Sequence, residues 1–153
     1  MVQASFQSNL DAEFAAVSEL WSPRVVAIAN GQHVKVARVK GEFVWHTHAD
    51  EDEFFLVHKG TLVIRYRDRP KVVLQEGDFH VVPRGVEHMT AAPDECWVVL
   101  VEPAATLHTG ETKSDMTKSI EAQTAHLRVD GGQILRADKG SDPSPARSKS
   151  KAS

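Results

Sequence analysis

Two histidines, His46 and His48, stand two residues apart in a run that alternates like a β-strand. A period of two turns both imidazoles to one face, near enough to share an ion. Glu53 comes five residues after His48, and His88 follows the turn Pro83-Arg84-Gly85 much further on. Three imidazoles and one carboxylate make a borderline-hard N₃O donor set, suited to a divalent Mn, Fe, Co, Ni or Zn ion. Cys96 is the only cysteine, which excludes the Cys-rich kind of closed zinc site. Neutral imidazoles and a single carboxylate leave such an ion a net positive charge. If six-coordinate, it also keeps positions open to substrate or water, so it can polarise an oxygen or activate water. A His-x-His pair alone is more often a surface pair than a metal site, so the elements that carry the four residues matter.

Those elements are short strands. Val34 and Val36 alternate with His33 and Lys35, and Leu62, Ile64 and Tyr66 share one face of another run. Strands are expected at Val25–Ala29, His33–Val39, Phe43–His48, Glu53–His58, Thr61–Arg67, Lys71–Leu74, Phe79–Val82 and Trp97–Val101. Turn signals separate them: Asn30-Gly31, Lys59-Gly60, Asp68-Arg69-Pro70, Glu76-Gly77-Asp78, Pro83-Arg84-Gly85 and Pro93-Asp94. About eight short strands at this spacing predict an all-β sandwich or barrel. Ahead of them, Leu10, Phe14, Val17, Leu20 and Trp21 recur at helical spacing. They predict one amphipathic helix from Ser8 to Trp21, capped by Ser8 or Asn9 and stopped by Pro23. Thr106–Arg136 offers few apolar anchors and reads as strand, packed coil or partner contact. From Ala137 onward no large apolar residue remains, which predicts a mobile tail. The chain thus divides into a helical segment (1–24), a β-barrel domain (25–136) and a tail (137–153).

Gly41-EFVW-His46-T-His48-ADED-Glu53-FFLVHK-Gly60 resembles the first cupin motif, and Gly77-DFHVV-Pro83-R-Gly85-VE-His88 resembles the second. The resemblance runs from about Val34 to Glu102. It implies a small cupin-type β-barrel, or jelly roll, with a metal near its mouth. By motif position it makes His46, His48, Glu53 and His88 the four ligands. The chain is similar to single-domain bacterial cupins of the mannose-6-phosphate-isomerase-like group, a name for sequence likeness rather than activity. Small cupins are commonly dimers, so the resemblance also implies a homodimer, with the N-terminal helix and Trp45 as apolar area to be covered. The spacing from Gly41 to His46 is one residue shorter than usual, and Ala92 stands where the second motif often has Asn. Neither departure removes a ligand.

Other residues sort around these four. Glu51 is the rival ligand, but Glu53 keeps six residues before Gly60 and is in phase with Phe55 and Val57. Asp50, Glu51 and Asp52 then read as a solvated turn. Trp45 points to the opposite face by parity. Phe55 and Val57 either wall a cavity or fill the core. His58 reads as exposed, and alternation turns His80 toward the cavity as a second-rank candidate. Arg65, Arg67 and Lys71 read as solvated strand faces before an anion clamp.

At 41% hydrophobic residues, a chain of this length can build one real core. Its formal charge of 18 − 21 = −3 gives no footing for a nucleic-acid binder. The longest apolar runs, Val25–Ala29 and Trp97–Val101, are too short to span a membrane. A single cysteine and the lack of a signal-peptide pattern fit a cytoplasmic home. Function then divides in two. One class is a metalloenzyme acting on a small organic molecule by oxygenase, isomerase or lyase chemistry. The other is a non-catalytic, metal-dependent module that binds a sugar or similar ligand. An ionisable side chain beside the open metal position favours catalysis, and a uniformly apolar cavity favours binding or oxygen chemistry.

Overall fold

The computed structural model describes residues 7–104, 117–130 and 133–137. In chain order its elements are α1 (Leu10–Ala15), β1 (Arg24–Ala29), β2 (Gln32–Glu42), β3 (Glu53–Lys59), β4 (Leu62–Tyr66), β5 (Val72–Leu74), β6 (Phe79–Val82), β7 (His88–Pro103), α2 (Ile120–Thr124), β8 (Leu127–Asp130) and β9 (Gln133–Ala137). The first seven strands form one sheet in the order β1-β2-β7-β3-β6, with β4 paired to β7 and β5 to β4. All these pairings are antiparallel. The all-β barrel expected from the alternation is therefore present, as a jelly roll.

β7 is its spine. Residues 88–91 pair with β4 and residues 97–101 with β3, while β2 runs along most of the length. The partner changes where the register slips: Val39 faces Cys96, but Gly41 faces Ala92. Pro93-Asp94 is thus not a turn between strands, as its composition suggested, but the bulge of one long strand. Pro93 has no N–H to give a ladder, and a bulge is where a strand tolerates that.

The inner face of the barrel buries Val39, Phe55, Ile64, Val98 and Leu100, among others. A second cluster on the outer face packs Phe14 and Val17 against Val26, Val36 and Val99. α1 supplies Phe14. Its N-cap, Asn9, accepts from the N–H groups of Asp11 and Ala12 at 2.9 and 3.3 Å, which satisfies two orphan donors. The helix ends at Ala15 rather than Trp21. The Arg38 guanidinium donates to the Val17 carbonyl at 2.9 Å, and Leu20 bridges to Arg38 in parallel. Contacts with β2 thus outweigh the helical period.

His58, expected to be exposed, is half-buried: it stacks on Phe14 at 5.3 Å, with Nε2 2.8 Å from Asp11 Oδ1. Since Phe14 and Val17 are spent on this barrel, the exposed large apolar side chains among the described residues lie elsewhere. They are Leu20, Val73, Phe79 and Val81. Beyond β7, α2 and the β8–β9 hairpin fill part of the stretch that offered few anchors. Ala137, expected to begin the tail, is the last residue of β9, and residues 138–153 lie outside the described residues.

One turn depends on glycine. Gly60 has φ +85°, and a Cβ there would lie 2.8 Å from the Glu95 carbonyl oxygen, so both its conformation and its close approach to β7 exclude a side chain.

Lys35 and Glu102 form an ion pair at 2.8 Å, with both side chains wholly buried. Lys35 shares the inward face of β2 with Ala37 and Val39. Burial pushes the Glu102 carboxyl up to about 7, helped by the charge of Glu53 and opposed by Lys35. Breaking a buried pair from one side leaves an uncompensated charge, whereas replacing both partners costs far less. Lys35→Met should therefore destabilise the fold by about 3–5 kcal/mol, and Lys35→Met/Glu102→Leu should recover most of that. Urea unfolding of the three chains tests this, and equal loss in the single and double variants would refute it.

Candidate metal centre

Residues 43–52 were expected to begin as a strand, but only His46 pairs, as an isolated bridge to His88. That bridge positions two of the four candidates. The His46 N–H donates to the His88 carbonyl and the His88 N–H to the His46 carbonyl, each at 3.0 Å. The Gly85 N–H donates to the His48 carbonyl at 2.7 Å. Asp52 accepts from the Arg84 N–H at 2.9 Å, so it ties the acidic run to the turn before His88 and does more than face solvent. Glu53 opens β3, opposite Val82.

The structure brings the four side chains together. One ligand atom from each of His46, His48, Glu53 and His88 lies within 4.8 Å of all the others. None of the four residues is more than 4% exposed. Glu51 is not part of the cluster. The Nδ1–H of His46 donates to the Val44 carbonyl at 2.8 Å, and that of His88 to the Val86 carbonyl at 2.9 Å. This fixes both tautomers with the Nε2 lone pair turned inward.

The Nε2 atoms of His46, His48 and His88 and Oε2 of Glu53 have no hydrogen-bond partner of good geometry. Glu53 Oε2 lies against His48 Nε2 and 3.6 Å from His88 Nε2. Leaving a buried polar atom unsatisfied costs about 1–3 kcal/mol. A divalent cation would satisfy all four at once, so the residues fit the ion that the donor set implies.

Burial drives the His46 imidazole down to about 4, with His88 adding to the effect. For His48, burial acts the same way, but the close contact and negative charge of Glu53 outweigh it and the net shift is upward. Burial would raise the Glu53 carboxyl, but its two histidine neighbours more than reverse this and hold it well below its usual range.

His46 and Glu53 also line a small cavity of about 30 Å³, room for a water or two. Its other walls include Trp21, Phe43, Phe55, Leu62 and Leu100, with Thr90 as a polar member. Phe55 therefore walls the cavity, whereas Val57 belongs to the core. His80 is not among the residues that line the cavity; half-buried, its Nε2 shares a 2.6 Å hydrogen bond with the Tyr66 hydroxyl, and Tyr66 is the register partner of His88. Arg65 and Arg67 pair with Glu42 and Glu87, and the Arg67 guanidinium lies 3.9 Å from the Trp45 ring centroid. They form no clamp on the site. Trp21 and Phe43 were not singled out from sequence. Trp21 looked like one more apolar residue of a helix, and only the path of the chain over the barrel brings it to the cavity.

A β-barrel with three histidines and one glutamate converging from two motifs is the architecture of a cupin, and this chain belongs to the cupin family. Residues 33–102 match the family model described as a cupin domain. Over 86 residues the chain is 35% identical to the uncharacterized protein YdbB of Bacillus subtilis (strain 168), covering 56% of this chain and 76% of that one. It is similar to the crystal structure of a cupin-2 domain containing protein from Shewanella frigidimarina NCIMB 400, at 46% identity and a TM-score of 0.61. That match covers 63% of this chain and 93% of the other. Protein NMB1881 from Neisseria meningitidis matches at 28% identity and a TM-score of 0.60, covering 64% and 99%. These matches support the family and do not extend to the mannose-6-phosphate-isomerase-like group.

The shifts give metal uptake a direction with pH. A ligand imidazole must be neutral, so protons compete with the ion. His48, whose pKa is raised, takes its proton first as pH falls, whereas His46 stays neutral until about pH 4. Affinity for Zn²⁺ should therefore weaken steadily from pH 8 to pH 6, and replacing His48 should flatten that slope. Calorimetric titrations across this range test it, and a constant affinity would contradict it.

Proposed function

We propose that this protein is a metal-dependent enzyme acting on a small, mostly apolar organic molecule, with one divalent ion held by His46, His48, Glu53 and His88. The observation that carries the reading is the convergence of four buried, unpartnered donor atoms where two of their residues line a cavity of hydrocarbon and aromatic walls. Bound there, the ion would supply Lewis acidity and, if redox-active, a means of activating dioxygen. The chain's own residues do the rest. The His46–His88 bridge keeps two ligands in register, and the Nδ1–H bonds keep their lone pairs aimed inward. Phe43, Phe55, Leu62 and Leu100 exclude water from the reacting volume, which strengthens the electrostatics inside it. Thr90 is the one hydroxyl-bearing residue of the described lining.

Among the described residues that line the cavity, the ionisable ones are His46 and Glu53, and both are committed to the ion. Isomerase and lyase steps need a spare acid or base within reach. An oxygenase-type reaction, whose reactivity resides in the metal and dioxygen, makes no such demand and is the reading we favour. The same lining supports a second reading, a metal-dependent module that binds a small molecule without turning it over.

Protein purified without added metal should hold close to one divalent ion per chain, and His48→Ala/His88→Ala should hold almost none. Equal metal content in the two would overturn the site. Loaded with Fe²⁺, the wild type should consume oxygen in the presence of a member of a panel of small aromatic and aliphatic compounds, and the Zn²⁺-loaded form should not. Saturable binding from that panel with no turnover under either metal would favour the binding module.

A further inference from the structure

A second cavity lies outside the barrel, between the segment that joins α1 to β1 and the helix α2. It measures about 320 Å³, room for about ten waters and within the range of small-molecule sites. Of its described walls, only Pro23 is shared with the cavity of the metal centre. Gln123 lines it and is 1% exposed. The amide Nε2 donates to the Lys118 carbonyl at 2.9 Å, which settles which end of the amide is which and leaves Oε1 without a donor. A buried acceptor left unpaired is costly. His126 offers another acceptor. Its Nε2–H donates to the Val25 carbonyl at 2.7 Å, at the bulge of β1. Burial holds this imidazole below its ordinary value, so near pH 7 it is neutral, with a lone pair on Nδ1. Two cations flank the acceptors. Arg24 spends one of its five N–H donors, Nε, on Glu13 at 3.2 Å. Lys118 meets Glu19 at 3.3 Å, a pair exposed enough to be worth little and easily exchanged. Ser18 and Ser22 add hydroxyls to the same walls.

We propose that this cavity is a second ligand site, separate from the metal centre, and that it takes a small carboxylic acid bearing several hydroxyl groups, of which an aldonic acid is the simplest kind. The carboxylate answers Arg24 and Lys118, and the guanidinium fork matches its two oxygens. The hydroxyls donate to Gln123 Oε1 and His126 Nδ1 and exchange hydrogen bonds with Ser18 and Ser22. Both buried acceptors are neutral, which suits a hydroxyl. An ammonium placed against them would be a charge without a buried anion, since Glu19 is exposed. A plain fatty acid would leave both acceptors unpaired, and a neutral polyol would bring no anion to the cations. No ion takes part, so the proposal stands apart from the metal reading.

Gluconate, sorbitol and hexanoate separate the two halves of this recognition on one length of carbon chain. Gluconate carries the carboxylate and the hydroxyls, sorbitol the hydroxyls alone and hexanoate the carboxylate alone. Calorimetry on the full chain should show saturable gluconate binding, and sorbitol and hexanoate should bind at least about tenfold more weakly. Lys118→Met and Gln123→Met should each weaken gluconate by about tenfold. Lys118 is partly exposed, so Lys118→Met keeps the test open even if Gln123→Met, which also loses the bond to the Lys118 carbonyl, fails to fold. The gluconate affinity should be the same with EDTA present, because a carboxylate held by the metal centre would be released. No gluconate binding at millimolar concentration overturns the proposal. So does equal affinity for sorbitol or hexanoate, an unchanged affinity in Lys118→Met, or binding that EDTA abolishes. Gluconate binding that survives in a chain holding no metal supports the proposal while the metal reading fails.

Discussion

Three imidazole nitrogens and a carboxylate oxygen face one another within 4.8 Å inside the barrel. Each has given up water, and the nitrogen lone pairs repel. Side chains alone would not settle into this arrangement, so the backbone must impose it. The reciprocal His46–His88 bridge, the Gly85 bond to the His48 carbonyl and the Asp52–Arg84 contact do so, by binding a loop without regular structure to the turn ahead of β7. The length of β7 follows from the same need. One strand must reach from His88, among the ligands, to Glu102, beside β2 and β3, and the bulge at Pro93 lets it change partners on the way.

The ligand carboxylate has a buried neighbour. One step beyond the Phe54–Val101 pair, the β3–β7 register brings Glu53 alongside Glu102, and His33 is the register partner of Glu102 on β2. Two carboxylates side by side in a low-dielectric interior would repel, as the upward push of Glu53 on Glu102 shows. Lys35 answers one of them at 2.8 Å, and an ion held by the histidines would answer the other. The polar content of the barrel is therefore nearly balanced charge by charge, which explains how so much of it can be buried among valines and leucines.

Much of this was legible in the sequence, for physical reasons. Strands bounded by Gly and Pro declare themselves: β6 spans the expected Phe79–Val82, and the four candidate ligands converge as their spacing suggested. The misses have a common cause. β2 is covered on both faces, by the barrel interior on one and by α1 on the other, so Val36 and Lys35 are both wholly buried. Alternation cannot say which face is inside when both are. It marked the valines and passed over Lys35, and with it the buried ion pair. Likewise, Val17 and Trp21 keep helical spacing because each packs against the barrel, although the chain between them is no longer helical. Apolar spacing records which residues are buried, and only local propensity and capping record the backbone that buries them.

The cavity walls also bear on how selective such a site can be. A hydrocarbon pocket discriminates weakly by size, at about 1–3 kcal/mol per methylene, and rejects an added hydroxyl by only about a hundredfold. Sites that discriminate more strongly do so with buried polar groups that a wrong ligand leaves unpaired. Here the polar residues of the cavity lining are His46, Glu53 and Thr90, and the first two are candidate ligands. In the metal-dependent reading, selectivity then rests on the oxygen that a ligand presents to the ion and on the shape of the apolar walls, so the hydrocarbon lining sets size and the ion sets chemistry.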